Sequence, residues 1–158
     1  MSSRSGGGEM ARIEINQDRW PLVVFTVPEV LSEADIVAHF ERLGSEVFPR
    51  GRYASVMDAR ETQAYRFLAD LRRYAAARYR EHAMDFAKLL IAEAYVLESS
   101  VQRGVLTAIR WLAPASWPTR VFATTDEAEA WCAEVAAREP GAPSIPPRSL
   151  NPRSSAAP

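Results

Sequence analysis

Four groups of side chains in this sequence have types and spacings that could do chemistry. His39 and His82 could ligate a metal or carry protons, but they fall in separate helical stretches with no second ligand type at a metal-binding spacing. Both read as structural or surface histidines. Cys132, the single cysteine, could act as a nucleophile only beside a base in an electropositive pocket. It falls instead on the apolar stripe Ala128, Trp131, Cys132 and Val135, which makes Trp131 an expected core anchor and Cys132 an expected buried thiol. Two carboxylate pairs, Glu93 with Glu98 and Glu127 with Glu129, could work as general acid and base. Glu127 reads better as a helix-cap residue and the others as side chains in water, where most carboxylates sit.

The fourth group has binding rather than catalytic character. Asp58 and Arg60 leave a strand, Ser99, Ser100, Arg103 and Gly104 open the helix after the next strand, and Thr124 and Thr125 open the last helix. In an open α/β sheet these positions share the edge at the carboxyl ends of the strands, beside helix N-termini with free N–H groups, where ligands bind. Two serines, an arginine and a glycine could cradle an anion or ring a partner's side chain. The plainer reading is a Ser99 cap with Arg103 in solvent. Trp111, off the main stripe of its helix, and Trp117, in a loop before Pro118, read equally as interface residues and as indoles packed under a loop. No Gly-rich phosphate loop, His-x-x-x-His or Cys-x-x-Cys is present. The expectation is a chain without catalytic residues, metal or cofactor, whose binding set is Asp58, Arg60, Ser99, Ser100, Arg103, Gly104 and Trp111.

The elements that must position these residues follow from periodicity. Ile13 and Ile15 alternate with polar neighbours, and after Gln17-Asp18-Arg19 the β-branched run 22–27 completes a hairpin. Ser32 to Asp35 resembles a capping box ahead of an amphipathic helix, 33–47. Pro49 and Gly51 end it, and 53–58 is a strand. A helix over about 62–82 comes next, then a nearly continuous apolar strand at 87–94, its character that of a central strand. The helix after Ser99 is expected to turn Val101, Val105, Ala108, Ile109 and Leu112 inward and to stop at Pro114. Strand 120–123 and a helix opened by Thr124-Thr125-Asp126-Glu127 complete the order ββαβαβαβα. This predicts an α/β domain with a mixed five-stranded sheet, mostly parallel, covered by four helices.

Composition bounds the rest. The 158 residues suit one domain and are 47% apolar, enough for a core. A net charge of −1 argues against many phosphate contacts, hence against nucleic acid as partner. The excess of arginine over the lone Lys88 reads as codon bias. No stretch is long and apolar enough for a membrane span, and Met1 to Gly8 lacks a secretory h-region, so a cytoplasmic location is expected. Residues 1–10 and 139–158, rich in Ser, Gly and Pro, read as disordered tails around a domain at 11–138.

The element order, together with Phe122, Thr124, Glu127, Ala130, Trp131 and Cys132 at the last strand and helix, resembles the STAS-like domains, the fold of bacterial anti-sigma-factor antagonists. It is similar in particular to their STAS/Sec14-like branch, with Cys132 where that branch carries leucine. The likeness spans most of 11–138 in element order and 121–132 at motif level. The antagonists' phosphorylatable serine turn has no counterpart, since Met57-Asp58-Ala59-Arg60-Glu61-Thr62 holds neither serine nor glycine. The resemblance implies a non-catalytic module that docks another protein in a bacterial regulatory or scaffolding complex. A domain for a small anionic or apolar ligand is the alternative, and an enzyme built on Asp58, Arg60 and Arg103 a third reading. Oligomeric state stays open.

Overall fold

A computed structural model describes residues 12–148. The hairpin forms as β1, Glu14–Arg19, and β2, Leu22–Thr26, paired antiparallel with Ile15 opposite Phe25. Strands β3, Tyr53–Asp58, β4, Leu90–Val96, and β5, Thr119–Phe122, follow, and the sheet order is β1-β2-β3-β4-β5. Among the described residues only the β1–β2 pair is antiparallel. The α/β class and the mixed sheet are therefore as the periodicity predicts.

Among the described residues five α-helices, rather than four, cover the sheet: α1, Glu33–Arg42, α2, Ala69–Glu81, α3, Ala83–Leu89, α4, Ser100–Leu112, and α5, Thr125–Arg138. Each parallel crossover steps one strand in the same direction, so the connecting helices share one face. There Phe25, Tyr53, Met57 and Tyr95 of the strands meet Ile36 and Phe40 of α1, Ala75 of α2, Phe86 of α3 and Ile109 of α4. The alternate strand residues, Ala54, Val56, Ala92, Ala94 and Val96, face Ala128, Cys132 and Ala136 of α5 on the other side.

Several boundaries differ from expectation for identifiable reasons. Ser32 forms a full capping box, its Oγ accepting from the Asp35 N–H at 3.2 Å while the Asp35 carboxylate accepts from the Ser32 N–H at 2.9 Å. The helix it starts continues beyond Arg42 as a π turn, Leu43–Val47. The helix expected over 62–82 begins only at Ala69. Residues 62–66 are tied elsewhere, Gln63 N–H donating to the Glu29 carbonyl at 2.8 Å and the Thr62 hydroxyl to the Pro28 carbonyl at 3.0 Å. The strand expected at 87–94 starts at Leu90, because 87–89 finish α3, whose Phe86 packs in the core. A run that is apolar on every side carries no period to separate the two.

Residues 139–148, assigned by composition to a disordered tail, lie against the α5 side of the domain. Ala142 and Ile145 pack on the small-residue cluster there. Arginine side chains hold the segment: Arg52 donates to Glu139 at 3.0 Å, Arg19 to the Pro146 carbonyl at 3.1 Å, and Arg148 pairs with Glu129 at 2.7 Å. Proline lacks an N–H but keeps its carbonyl, and composition does not foresee those acceptors. The N-terminal tail at 1–10 and the end of the chain, 149–158, lie outside the described residues.

Candidate functional site

The face covered by α1, α2 and α4 holds polar groups that a core normally excludes. Strand alternation turns Glu93 and Tyr95 of β4 toward these helices, and Glu93 is buried at mid-strand. It does not sit in water at a strand end, as the sequence suggested. The Arg110 guanidinium reaches it from α4 at 2.8 Å and the Trp117 indole N–H donates to it at 2.6 Å. The Tyr95 hydroxyl also donates to this carboxylate and stands beside Arg110. The guanidinium lies 4.6 Å from the Tyr79 ring centre, 5.4 Å from that of Tyr95 and 5.6 Å from that of Trp117. Three aromatic faces thus surround a buried cation, a favourable geometry when water is excluded. Burial would lower the Arg110 pKa, yet Tyr95 and Glu93 outweigh it and hold the side chain charged. Burial, then Glu93, pushes the Tyr79 hydroxyl up to about 12. Removing one partner of such a buried pair would leave the other charge buried and uncompensated.

Next to this cluster, between the sheet and the helices, is an apolar cavity of about 130 Å³. Val27 of the β2 end, Ile36 of α1, Tyr95 of β4 and Val105 and Ile109 of α4 bound it, with Phe67 from the irregular 62–68 segment. His39 lines the cavity as well. It is buried on α1 between the Phe25 and Phe40 rings, 5.1 and 5.5 Å away, and its Nδ1 has no hydrogen-bond partner among the described residues. Burial, with Arg42 adding to it, lowers its pKa to about 4, so the imidazole is neutral at pH 7.

The edge singled out from sequence is only partly assembled. Asp58 and Arg60 pair with each other at 2.9 Å. Partial burial pushes the Asp58 carboxyl up, but the hydrogen bonds from Arg60 outweigh this and leave it below its usual value. Ser99 caps α4, its Oγ accepting from the Gln102 N–H at 3.1 Å. Gln102, passed over in the sequence, completes the capping box and joins the two parts of the edge. Its Oε1 accepts from the N–H groups of Glu98 and Ser99, and its Nε2 donates to the carbonyls of Ala59, Arg60 and Thr62 at 2.8–3.0 Å. The Ser-x-x-Gln spacing at 99–102 is the signal that could have found it. Ser100, Arg103 and Gly104 are exposed, and a side chain at Gly104 would meet open space. Trp111 is 83% exposed at the far end of α4, away from the others.

The register of α4 also differs from expectation. Val101 and Leu112 are exposed rather than inward, and Gln102 and Leu106 take part in the inner face. Val101 joins Tyr65, Leu68 and Gly104 in a surface groove whose three large side chains are 56%, 69% and 65% exposed. Trp117 is the buried tryptophan. Trp131 is half-buried against Phe122 at 5.6 Å, so the α5 anchors are its small residues. Cys132 is buried, and burial, with Glu129 adding to it, pushes its thiol up to about 12. Among the described residues no three metal-ligating side chains converge, and no helix is long and apolar enough to cross a membrane. No family model matches the chain, nor does any curated protein or solved structure.

Proposed function

We propose that this domain is a non-catalytic, STAS-like module that docks another protein in a bacterial regulatory or scaffolding complex. The observation that carries this reading is the groove of Tyr65, Leu68 and Val101 around Gly104. Three large apolar side chains stay in water although the core needs none of them there. Clustered exposed apolar groups beside a cation are a common mark of a protein-binding surface. Gly104 lets a partner approach the helix backbone, and Arg103 stands next to it. The reactive groups elsewhere are unsuited to turnover: the Cys132 thiol is held protonated, and Glu93 is tied to Arg110. Without a serine in the 57–62 turn, the serine phosphoswitch of the antagonists is not carried over to this chain.

The test is capture with the full chain as bait, identification of the retained protein by mass spectrometry, and binding measured between the two purified components. Leu68→Glu, Val101→Glu and Arg103→Glu should each weaken that binding by about tenfold or more. Stability should shift by no more than about 0.5 kcal/mol, as for other exposed positions. Variants that bind as tightly as the parent would exclude this groove as the docking site.

A further inference from the structure

We infer that the partner is held through an amphipathic α-helix with acidic residues beside its apolar stripe, laid along α4 from the Tyr65 groove to Trp111. The inference rests on the docking role proposed above and names the kind of partner. At about 100° per residue, Val101, Gly104, Ala108, Trp111 and Leu112 fall within an arc of about 120°. Val101, Trp111 and Leu112 are exposed, and a side chain at Gly104 would meet open space. This outer stripe is separate from the inner one of Gln102, Leu106 and Ile109. It extends for roughly 15 Å, about three helical turns. α2 forms the second wall. Its beginning brings Leu68 and Arg72 to the groove beside Val101, and near its end Arg80 donates to the Leu112 carbonyl at 2.8 Å. The two helices therefore run side by side in the same direction, with the groove between them. Such a groove takes a third helix, whose anchors recur at i, i+3, i+4 and i+7.

The charge around the stripe selects the occupant. α4 carries Arg103 and Arg110 and no acidic residue. Among the described residues Arg66, Arg72, Arg80 and Arg103 enter no ion pair. Arg66 lies 6.0 Å from the Tyr65 ring centre, Arg72 lines the groove, and Arg103 adjoins Gly104. The acids of α2 are already engaged, Asp70 by Arg73 and Glu81 by Arg78, while Glu61 and Glu98 act on Arg60. Cations without counter-ions beside an apolar stripe are complementary to a helix flanked by Asp or Glu. A second copy of the chain fits poorly, because two such faces would set arginine against arginine. The chain's own remaining segments fit no better: 149–158 has no acid and 1–11 only Glu9. A trough between two helices also suits a rod better than the plane of an anionic membrane.

The experiment titrates the full chain with two peptides of about 18 residues, long enough to hold helix. Both carry the same leucine stripe at helical spacing, one flanked by Glu and the other by Lys. Binding is read by calorimetry and by the amide resonances of α2 and α4. The Glu peptide should give saturable shifts along α4 from Val101 to Trp111, and the Lys peptide should bind about tenfold or more weakly. Arg66→Glu with Arg103→Glu should reverse that preference, and Trp111→Ser should weaken the Glu peptide by about tenfold. Equal binding of the two peptides would overturn the acidic partner. Shifts confined to Val101–Gly104, or a Trp111→Ser variant that binds as tightly as the parent, would overturn a helix laid along α4. Binding to vesicles of phosphatidylglycerol and phosphatidylcholine without binding of the Glu peptide would make the face a membrane contact and overturn the inference. If the Glu peptide does not bind, yet a captured protein is lost in Leu68→Glu and Val101→Glu, the docking role stands and this occupant falls. The titrations of the unmodified chain decide the matter even where a variant fails to fold.

Discussion

Toward α5 the sheet presents Ala54, Ala92 and Ala94, and the helix answers with Ala128, Cys132 and Ala136, so the two layers approach closely through small side chains. Toward α1, α2 and α4 it presents Phe25, Tyr53, Tyr95 and the buried Glu93, and the helices answer with aromatic rings, His39 and Arg110. Small residues permit close contact and leave little room for a ligand. Large rings and polar groups fit less completely, and on that side lie the cavity and the ion pair. The difference teaches that one face is built for stability alone, whereas the other gives up packing to keep polar groups and space.

The largest effect that would break this comparison is at the ion pair. Glu93→Leu alone leaves Arg110 buried and unpaired, and should cost about 3–5 kcal/mol in chemical denaturation. The double change Glu93→Leu with Arg110→Met should recover most of that loss, since a buried pair contributes little net stability over apolar residues of similar size. Single variants within about 1 kcal/mol of the parent would mean that water reaches the pair.

An effect of about 3 kcal/mol is expected from pH. His39 titrates near 4 in the folded chain and near 6.5 when unfolded. Between those values the unfolded chain binds the extra proton. Stability should therefore be full above about pH 6.5 and fall as pH drops toward 4. His39→Phe should remove this slope from denaturation curves recorded across that window. An unchanged slope would assign the loss to other groups.

The smallest effect compares one substitution on the two faces. Ala94→Leu, under α5, should cost about 1–3 kcal/mol through overpacking. Ala75→Leu, at the cavity wall, should stay within about 0.5 kcal/mol of the parent or gain stability, because space is already present. Equal penalties would erase the contrast between the faces.

Local features of the fold were legible: the Ser32 box needs only the four residues Ser32 to Asp35, and strand 53–58 is bounded by its own turn signals. The register of α4 was not. Val101, Val105, Leu106, Ala108, Ile109, Trp111 and Leu112 are apolar over too wide an arc for periodicity alone to choose the inner face. The buried site was less legible still. Glu93, Arg110 and Trp117 belong to a strand, a helix and a loop, and only tertiary packing joins them. His39 looked like an ordinary polar residue on a helix until Phe25 and Phe40 closed around it.

Diffraction from crystals under xenon pressure tests the contrast between the faces most directly, because xenon enters dry apolar space without needing a polar contact. Xenon density should appear among Ile36, Phe67 and Val105, with none between the sheet and α5. Xenon beneath α5, or an empty cavity on the α1, α2 and α4 side, would contradict the account.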